Sequence, residues 1–170
     1  MARPDLASTP VFFHNYINQV IGDDLMKAFK KESPELFQFL ESIPAEKYDY
    51  RYAEGKWSIR ELIQHMIDAE RIFAYRALRF ARKDATPLAG FNENSYADNS
   101  KADKRSWQEL IEEFKTVRKA SEFLFGSFDE EQLTATGISG NNSISVLALG
   151  FIVIGHPLHH VNIITHRYLV

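Results

Sequence analysis

Six histidines hold most of the chemical potential of this sequence: His14, His65, His156, His159, His160 and His166. Half of them fall in one short run, Gly155-His156-Pro157-Leu158-His159-His160. Residues four apart share a helix face one turn apart, so His156 and His160 can aim two imidazoles at one point. Two neutral ring nitrogens at that spacing are half of a metal site. His159 stands three residues from His156, and spacing alone does not choose between the two partners. Burial bears on the choice. The run Val146 to Ile154 is apolar nearly all round, which predicts the most buried helix of the fold. Leu149, Val153, His156, His160 and Ile164 then form one inward row. Unpaired imidazoles on such a face cost free energy that a bound metal would recover.

His65 lies in a second core-facing row, Leu62, His65, Ala69 and Ile72. Asp68, at i+3, could accept from the ring nitrogen that a metal leaves free and so orient the ligand. A lone histidine on an apolar face is as a rule structural; beside an inward pair it reads as the third ligand. His14, His159 and His166 keep the structural reading, and His166 near the chain end also suits a helix dipole. The sequence has no cysteine. Disulfides, thiolate nucleophiles and cysteine-held zinc are therefore excluded, and histidine, aspartate and glutamate are the strong metal ligands left.

These side chains need helices to position them, and helical periodicity dominates. Thr9 as cap, Pro10 at the first helical position and Gly22 as stop predict a short helix over Val11 to Ile21. Asp23 or Asp24 caps a second helix running to about Ile43, with Pro34 kinking or restarting it. Ser58-Ile59-Arg60-Glu61 is a capping box opening a helix to about Arg82, and Ser106-Trp107-Gln108-Glu109 is another. Between Asp84 and Lys104 lies a polar stretch of a length that tends to be functional. Asp129 to Leu133 suggests one more turn, Thr134 to Asn142 reads as loop, and a last helix starts near Ser143 or Ser145. No stretch offers sustained strand alternation. The fold class expected is all-α: an up-and-down four-helix bundle with a short extra N-terminal helix.

The chain of 170 residues, 45% hydrophobic and 25% charged, is the size and composition of a single globular domain spanning residues 1–170. Its net charge of −3 and lack of a basic patch argue against nucleic acid as a partner. The N-terminus leads into no apolar signal region, and Val146 to Ile154 is too short to span a bilayer. A soluble cytoplasmic protein without membrane attachment is expected. The set Arg71, Arg76, Arg79 and Arg82 reads as a solvated helix face, with Arg71 or Arg76 the candidates for binding an acidic substrate.

Several motifs together resemble one family. Gly55-Lys56-Trp57-Ser58-Ile59-Arg60-Glu61 with His65, Asp68-Ala69-Glu70-Arg71, Phe73-Ala74-Tyr75-Arg76-Ala77-Leu78, Thr86-Pro87-Leu88-Ala89-Gly90-Phe91 and Gly155-His156 to His159-His160 are similar, in order and spacing, to the DinB superfamily, especially its YfiT-like metal-dependent hydrolases. The resemblance runs from about Val11 to the C-terminus. It implies a four-helix bundle holding a divalent metal, zinc or nickel, on three histidines that fall on His65, His156 and His160, and so decides against His159. It also implies self-association, a homodimer being the expectation. Pro157 departs from the pattern, since close relatives often carry glutamate there. Lacking an N–H, it cannot bond the carbonyl of Val153 and should distort the helix between the ligands.

A His₃ set leaves a metal's charge uncompensated and a position open, the catalytic rather than the structural pattern. The activity expected is hydrolysis by a metal-bound water, a subclass the resemblance suggests. Its rival is thiol S-transfer, which other members of the superfamily resemble, with a low-molecular-weight thiol bound through Arg71, Arg76 or Lys101. A third reading is a metal-stabilised bundle that binds a small molecule without turnover, its site sealed by residues 84–104. The catalytic residues and the small-molecule substrate are not specified by the sequence.

Overall fold

A computed structural model describes residues 3–170. Two 3-10 turns, Leu6–Ser8 and Val11–Phe13, lead into α1 (His14–Gln19), followed by α2 (Leu25–Glu41), α3 (Ile59–Ala81), α4 (Glu93–Asn99), α5 (Trp107–Gly126) and α6 (Glu130–Thr134). A hairpin of β1 (Thr136–Ser139) and β2 (Asn142–Ser145) precedes α7 (Val146–Ile163), which continues as a π turn over Ile164–Tyr168. The long helices α2, α3, α5 and α7 form the four-helix bundle.

Local signals set most boundaries. Asp24 caps α2 through the amide of Lys27, and both serine capping boxes close reciprocally, Ser58 with Glu61 and Ser106 with Glu109. Pro34 sits inside α2 without restarting it. The first helix is shorter than expected, because Val11–Phe13 is a 3-10 turn and Thr9 closes the turn before it. Thr134 ends α6, and from Thr136 the segment expected as loop is an antiparallel hairpin instead, pairing Thr136 with Ser145 and Ser139 with Asn142. Gly140 takes φ +59° at its tip.

Around the bundle α2 and α3 each pack against both α5 and α7, so α2 faces α3 across the diagonal. Two apolar clusters fill the interior. One gathers Leu25 and Phe29 of α2, Phe73 and Phe80 of α3, Phe125, and α7 from Val146 to Ile154. The other gathers Leu36 and Leu40, Ile59 to Ile67, Leu110 and Phe114, and Ile164 with Tyr168. From the order in which each helix crosses them, α2 and α7 run one way and α3 and α5 the other, so the four-helix bundle is as expected but its successive helices do not alternate up and down throughout. The connection between α3 and α5 must therefore return along the bundle, and residues 84–104 do so. Leu88 pairs with the hairpin, α4 packs on α3, and Arg60 donates to the carbonyl of Arg105 at 2.5 Å.

Between the apolar clusters each long helix places buried polar side chains: Ser33 on α2, His65 and Glu70 on α3, Arg118 and Ser121 on α5, His156 and His160 on α7. Helix α7 is buried continuously from Val146 to Pro157. The helical stretch Val146–Tyr168 is long and apolar enough to cross a membrane, yet 72% of its most apolar window is buried within the bundle, where a central helix needs that character.

Candidate metal centre

Helix α3 brings His65, and α7 brings His156 and His160, to one point. Nε2 of His156 lies 3.0 Å from Nε2 of His65 and 3.0 Å from Nε2 of His160. The ligand atoms of all three lie within 4.8 Å of one another. Imidazole nitrogens at tetrahedral positions around zinc would be about 3.3 Å apart, so the spacing suits one small cation. Burial holds the His65 ring down to about pKa 4, and burial together with the neighbouring rings lowers His156 and His160 well below the ordinary value. All three are therefore neutral at pH 7, each with a lone pair to give. Their hydrogen bonds do not close among themselves, since one Nε2 proton serves one partner, and Nδ1 of His160 is buried without any. A donor set of three convergent neutral nitrogens fits a divalent metal.

The frame around the rings is built across the bundle. Pro157 leaves the carbonyl of Val153 without its helical donor, and Nη2 of Arg118 donates to it at 3.0 Å. Arg118 in turn grips Glu70, with Nη2 2.7 Å and Nε 2.9 Å from the carboxylate, and reaches Ser33 at 3.2 Å. The expected distortion is thus absorbed, and α7 stays α-helical through both ligands. Gly155 has a separate duty. A Cβ there would lie 1.9 Å from the carbonyl oxygen of Tyr16, so only glycine lets α1 press on α7. That contact sets the Tyr16 ring 5.1 Å from the ring of His156.

Other residues singled out by sequence fall elsewhere. Asp68 accepts from Gln64 at 3.0 Å and bonds no imidazole, so the structure does not give it the orienting role. His14 bonds the carbonyl of Thr9 at 2.8 Å, His159 the amide of Asn15 at 3.0 Å, and His166 the carbonyl of Asn162 at 2.7 Å. Arg71 is paired with Glu113 at 2.6 Å, Arg79 with Asp84, and Arg82 and Lys101 are exposed. Arg76 is not on a solvated face: it is buried, only 7% exposed.

A pocket of about 390 Å³, open to solvent on one side, lies against the three histidines. Tyr16, Trp57 and Phe73 line it beside the rings, and Arg76, Phe91 and Glu93 belong to the same wall. The 84–104 connection therefore borders the site without sealing it. Glu93 is the only carboxylate in that lining, and its charge acts on both His65 and Tyr16. The Tyr16 hydroxyl makes no hydrogen bond among the described residues, and burial followed by Glu93 raises its pKa, so it stays a donor. Sequence reasoning missed Tyr16 and Glu93. Neither sits in a helical row with a ligand; the only hint was the length of the polar stretch that contains Glu93.

Comparison with known proteins accords with this geometry. A search of curated proteins finds no match. Among solved structures the chain is similar to Bacillus subtilis YfiT, described as a probable metal-dependent hydrolase with an unusual four-helix bundle topology: TM-score 0.74, 13% identity, covering 97% of this chain and 90% of that one. It is similar to a mycothiol-dependent maleylpyruvate isomerase with TM-score 0.68 and 9% identity over 81% of this chain, which spans 58% of that protein. It is also similar to the DinB-like YjoA of Bacillus subtilis, with TM-score 0.56 and 19% identity over 84% of this chain and 92% of that one. The model of the DinB superfamily matches residues 28–164, most of the bundle and all three histidines, and the chain belongs to that superfamily.

Proposed function

We propose that the protein is a metal-dependent enzyme of hydrolase type, with a divalent ion, zinc or nickel, held by His65, His156 and His160. The observation that carries this reading is the convergence of three buried, neutral Nε2 atoms on the floor of a solvent-reachable pocket. A divalent cation on three imidazoles keeps its charge and an open position, and supplies Lewis acidity that acidifies a water or a thiol. Around that position the chain's own groups divide the remaining work. Glu93 accepts and returns a proton at its carboxylate, and the Tyr16 hydroxyl donates a hydrogen bond to a substrate oxygen on which charge develops. Trp57 and Phe73 give the substrate an apolar seat and limit water. Zinc-loaded protein assayed on ester and amide panels tests this, and Glu93→Gln is expected to lose on the order of a hundredfold in kcat while keeping its metal. Undiminished kcat in that variant would remove Glu93 from the chemistry.

The second reading, thiol S-transfer, is supported by the same open position and by the likeness to the mycothiol-dependent isomerase. Repeating the assays with and without a low-molecular-weight thiol separates the two. Turnover without thiol supports hydrolysis; turnover strictly dependent on thiol supports transfer. A permanently sealed binding bundle is the reading the open pocket favours least.

A further inference from the structure

Two arginines are buried in this bundle, and their surroundings differ. Arg118 is fully engaged by Glu70, Ser33 and the Val153 carbonyl. Arg76 has no carboxylate within 4.0 Å among the described residues. Its one hydrogen bond runs from Nη2 to the carbonyl of Ala89, at 3.2 Å. Its guanidinium carbon lies 5.8 Å from the ring centres of both Phe73 and Phe91. A guanidinium has five N–H donors in a planar fork, so most of its donor capacity is unused. Burial lowers its pKa, the mark of a cation held without a counter-charge. Its free N–H groups are not sealed from solvent, so water in the open pocket serves them until an anion takes the fork.

Arg76 also lines the same pocket as the histidines. It stands eleven residues after His65 on α3, about three turns and 16 Å along the axis, on the same face. Helical side chains lean toward the N-terminus, which turns the guanidinium back toward the rings. Phe73, one turn before Arg76, lies between them as an apolar wall. We propose that Arg76 is the anion-recognition residue of this pocket, and that the substrate carries a carboxylate held by its fork while an apolar body spans Phe73 and the reacting atom sits at the histidines. This rests on the proposed function only for the reacting end; the carboxylate seat stands on Arg76 itself. One cation with an apolar surround, and Glu93 in the same wall, suits a monoanionic carboxylate better than a phosphate dianion. The span makes the carboxylate several bonds distant from the reacting atom.

The test uses metal-free and zinc-loaded full-length protein carrying Trp107→Phe, so that Trp57 fluorescence reports pocket occupancy. The probes are 3-phenylpropionate, its uncharged amide 3-phenylpropionamide, and phenyl phosphate. The carboxylate is expected to bind roughly ten- to a hundredfold tighter than the amide, already in metal-free protein. Arg76→Gln should bring the carboxylate down to the amide's affinity and leave the amide unchanged; Arg76→Lys, which keeps charge but not the fork, should fall between. Equal affinities for carboxylate and amide, an unchanged preference in both folded variants, or preference for the phosphate would each overturn the proposal. Carboxylate discrimination that depends on Arg76 in a protein that takes up no metal would leave this site standing and sink the metal reading instead.

Discussion

At the scale of single residues, the histidines are neutral because they are buried, and that burial couples the site to pH. The folded His65 has a pKa of about 4 against an ordinary value near 6.5, so the unfolded chain binds its proton more readily. Its contribution is intact above pH 6.5 and is lost as pH falls from there through 4, by about 3 kcal/mol at most. Urea unfolding of metal-free protein between pH 7 and pH 4 should therefore show that extra loss in the wild type relative to His65→Gln; parallel profiles would contradict it. Asp68 gives a second residue-level prediction. Its carboxylate is occupied by Gln64, so Asp68→Asn should change metal affinity by no more than about twofold, whereas removing a true ligand-orienting group costs roughly ten- to a hundredfold. The paired histidines were legible because i,i+4 spacing on an apolar helix is a local pattern. Glu93 and Tyr16 were not, because their approach to the rings depends on how distant segments cross.

At the scale of elements, the exchange at Pro157 decides whether α7 can present both ligands. Arg118→Met would strip the partner from buried Glu70 and from the Val153 carbonyl together, a loss of about 3–5 kcal/mol in urea unfolding. In a Pro157→Ala background the helix recovers its own donor to Val153, and the same substitution should cost about 1 kcal/mol less. Strict additivity of the two changes would mean that Arg118 does not replace the missing N–H. Gly155→Ala should push α1 off α7 and lower the melting temperature, since its Cβ would meet backbone at 1.9 Å; an unchanged melting curve would show that α1 is free to move. The capping boxes at Ser58 and Ser106 could be read in the sequence because a cap is fixed by four neighbouring residues. The hairpin could not, because strands of four residues are too short to display a period. Nor could the direction of α5, since apolar spacing says which face is buried and nothing of which way the helix runs.

At the scale of the whole molecule, the polar side chains between the two apolar clusters lie where all four long helices meet, and the candidate metal centre is their junction between α3 and α7. A cation bound there adds a crosslink between two helices already joined at that level by the His65–His156 contact and by Arg118, which bonds Glu70 of α3 and the Val153 carbonyl of α7. Metal at a hundred times its dissociation constant should stabilise the fold by about 2.7 kcal/mol, and removing it should leave a folded but weaker bundle, since the apolar clusters do not depend on it. The bundle itself was legible from helix spacing, while the pocket takes its walls from α1, the 84–104 connection and the hairpin as well, whose placement helix spacing does not set. The central claim is that His65, His156 and His160 hold one divalent ion. Its most direct test is the metal content of untagged protein purified without chelator, for the wild type and for alanine variants at each of these positions and at His159. One equivalent per chain is expected, lost in His65→Ala, His156→Ala and His160→Ala and kept in His159→Ala. A wild type that takes up no zinc or nickel even on reconstitution, or a His156→Ala variant that keeps its metal, would contradict it.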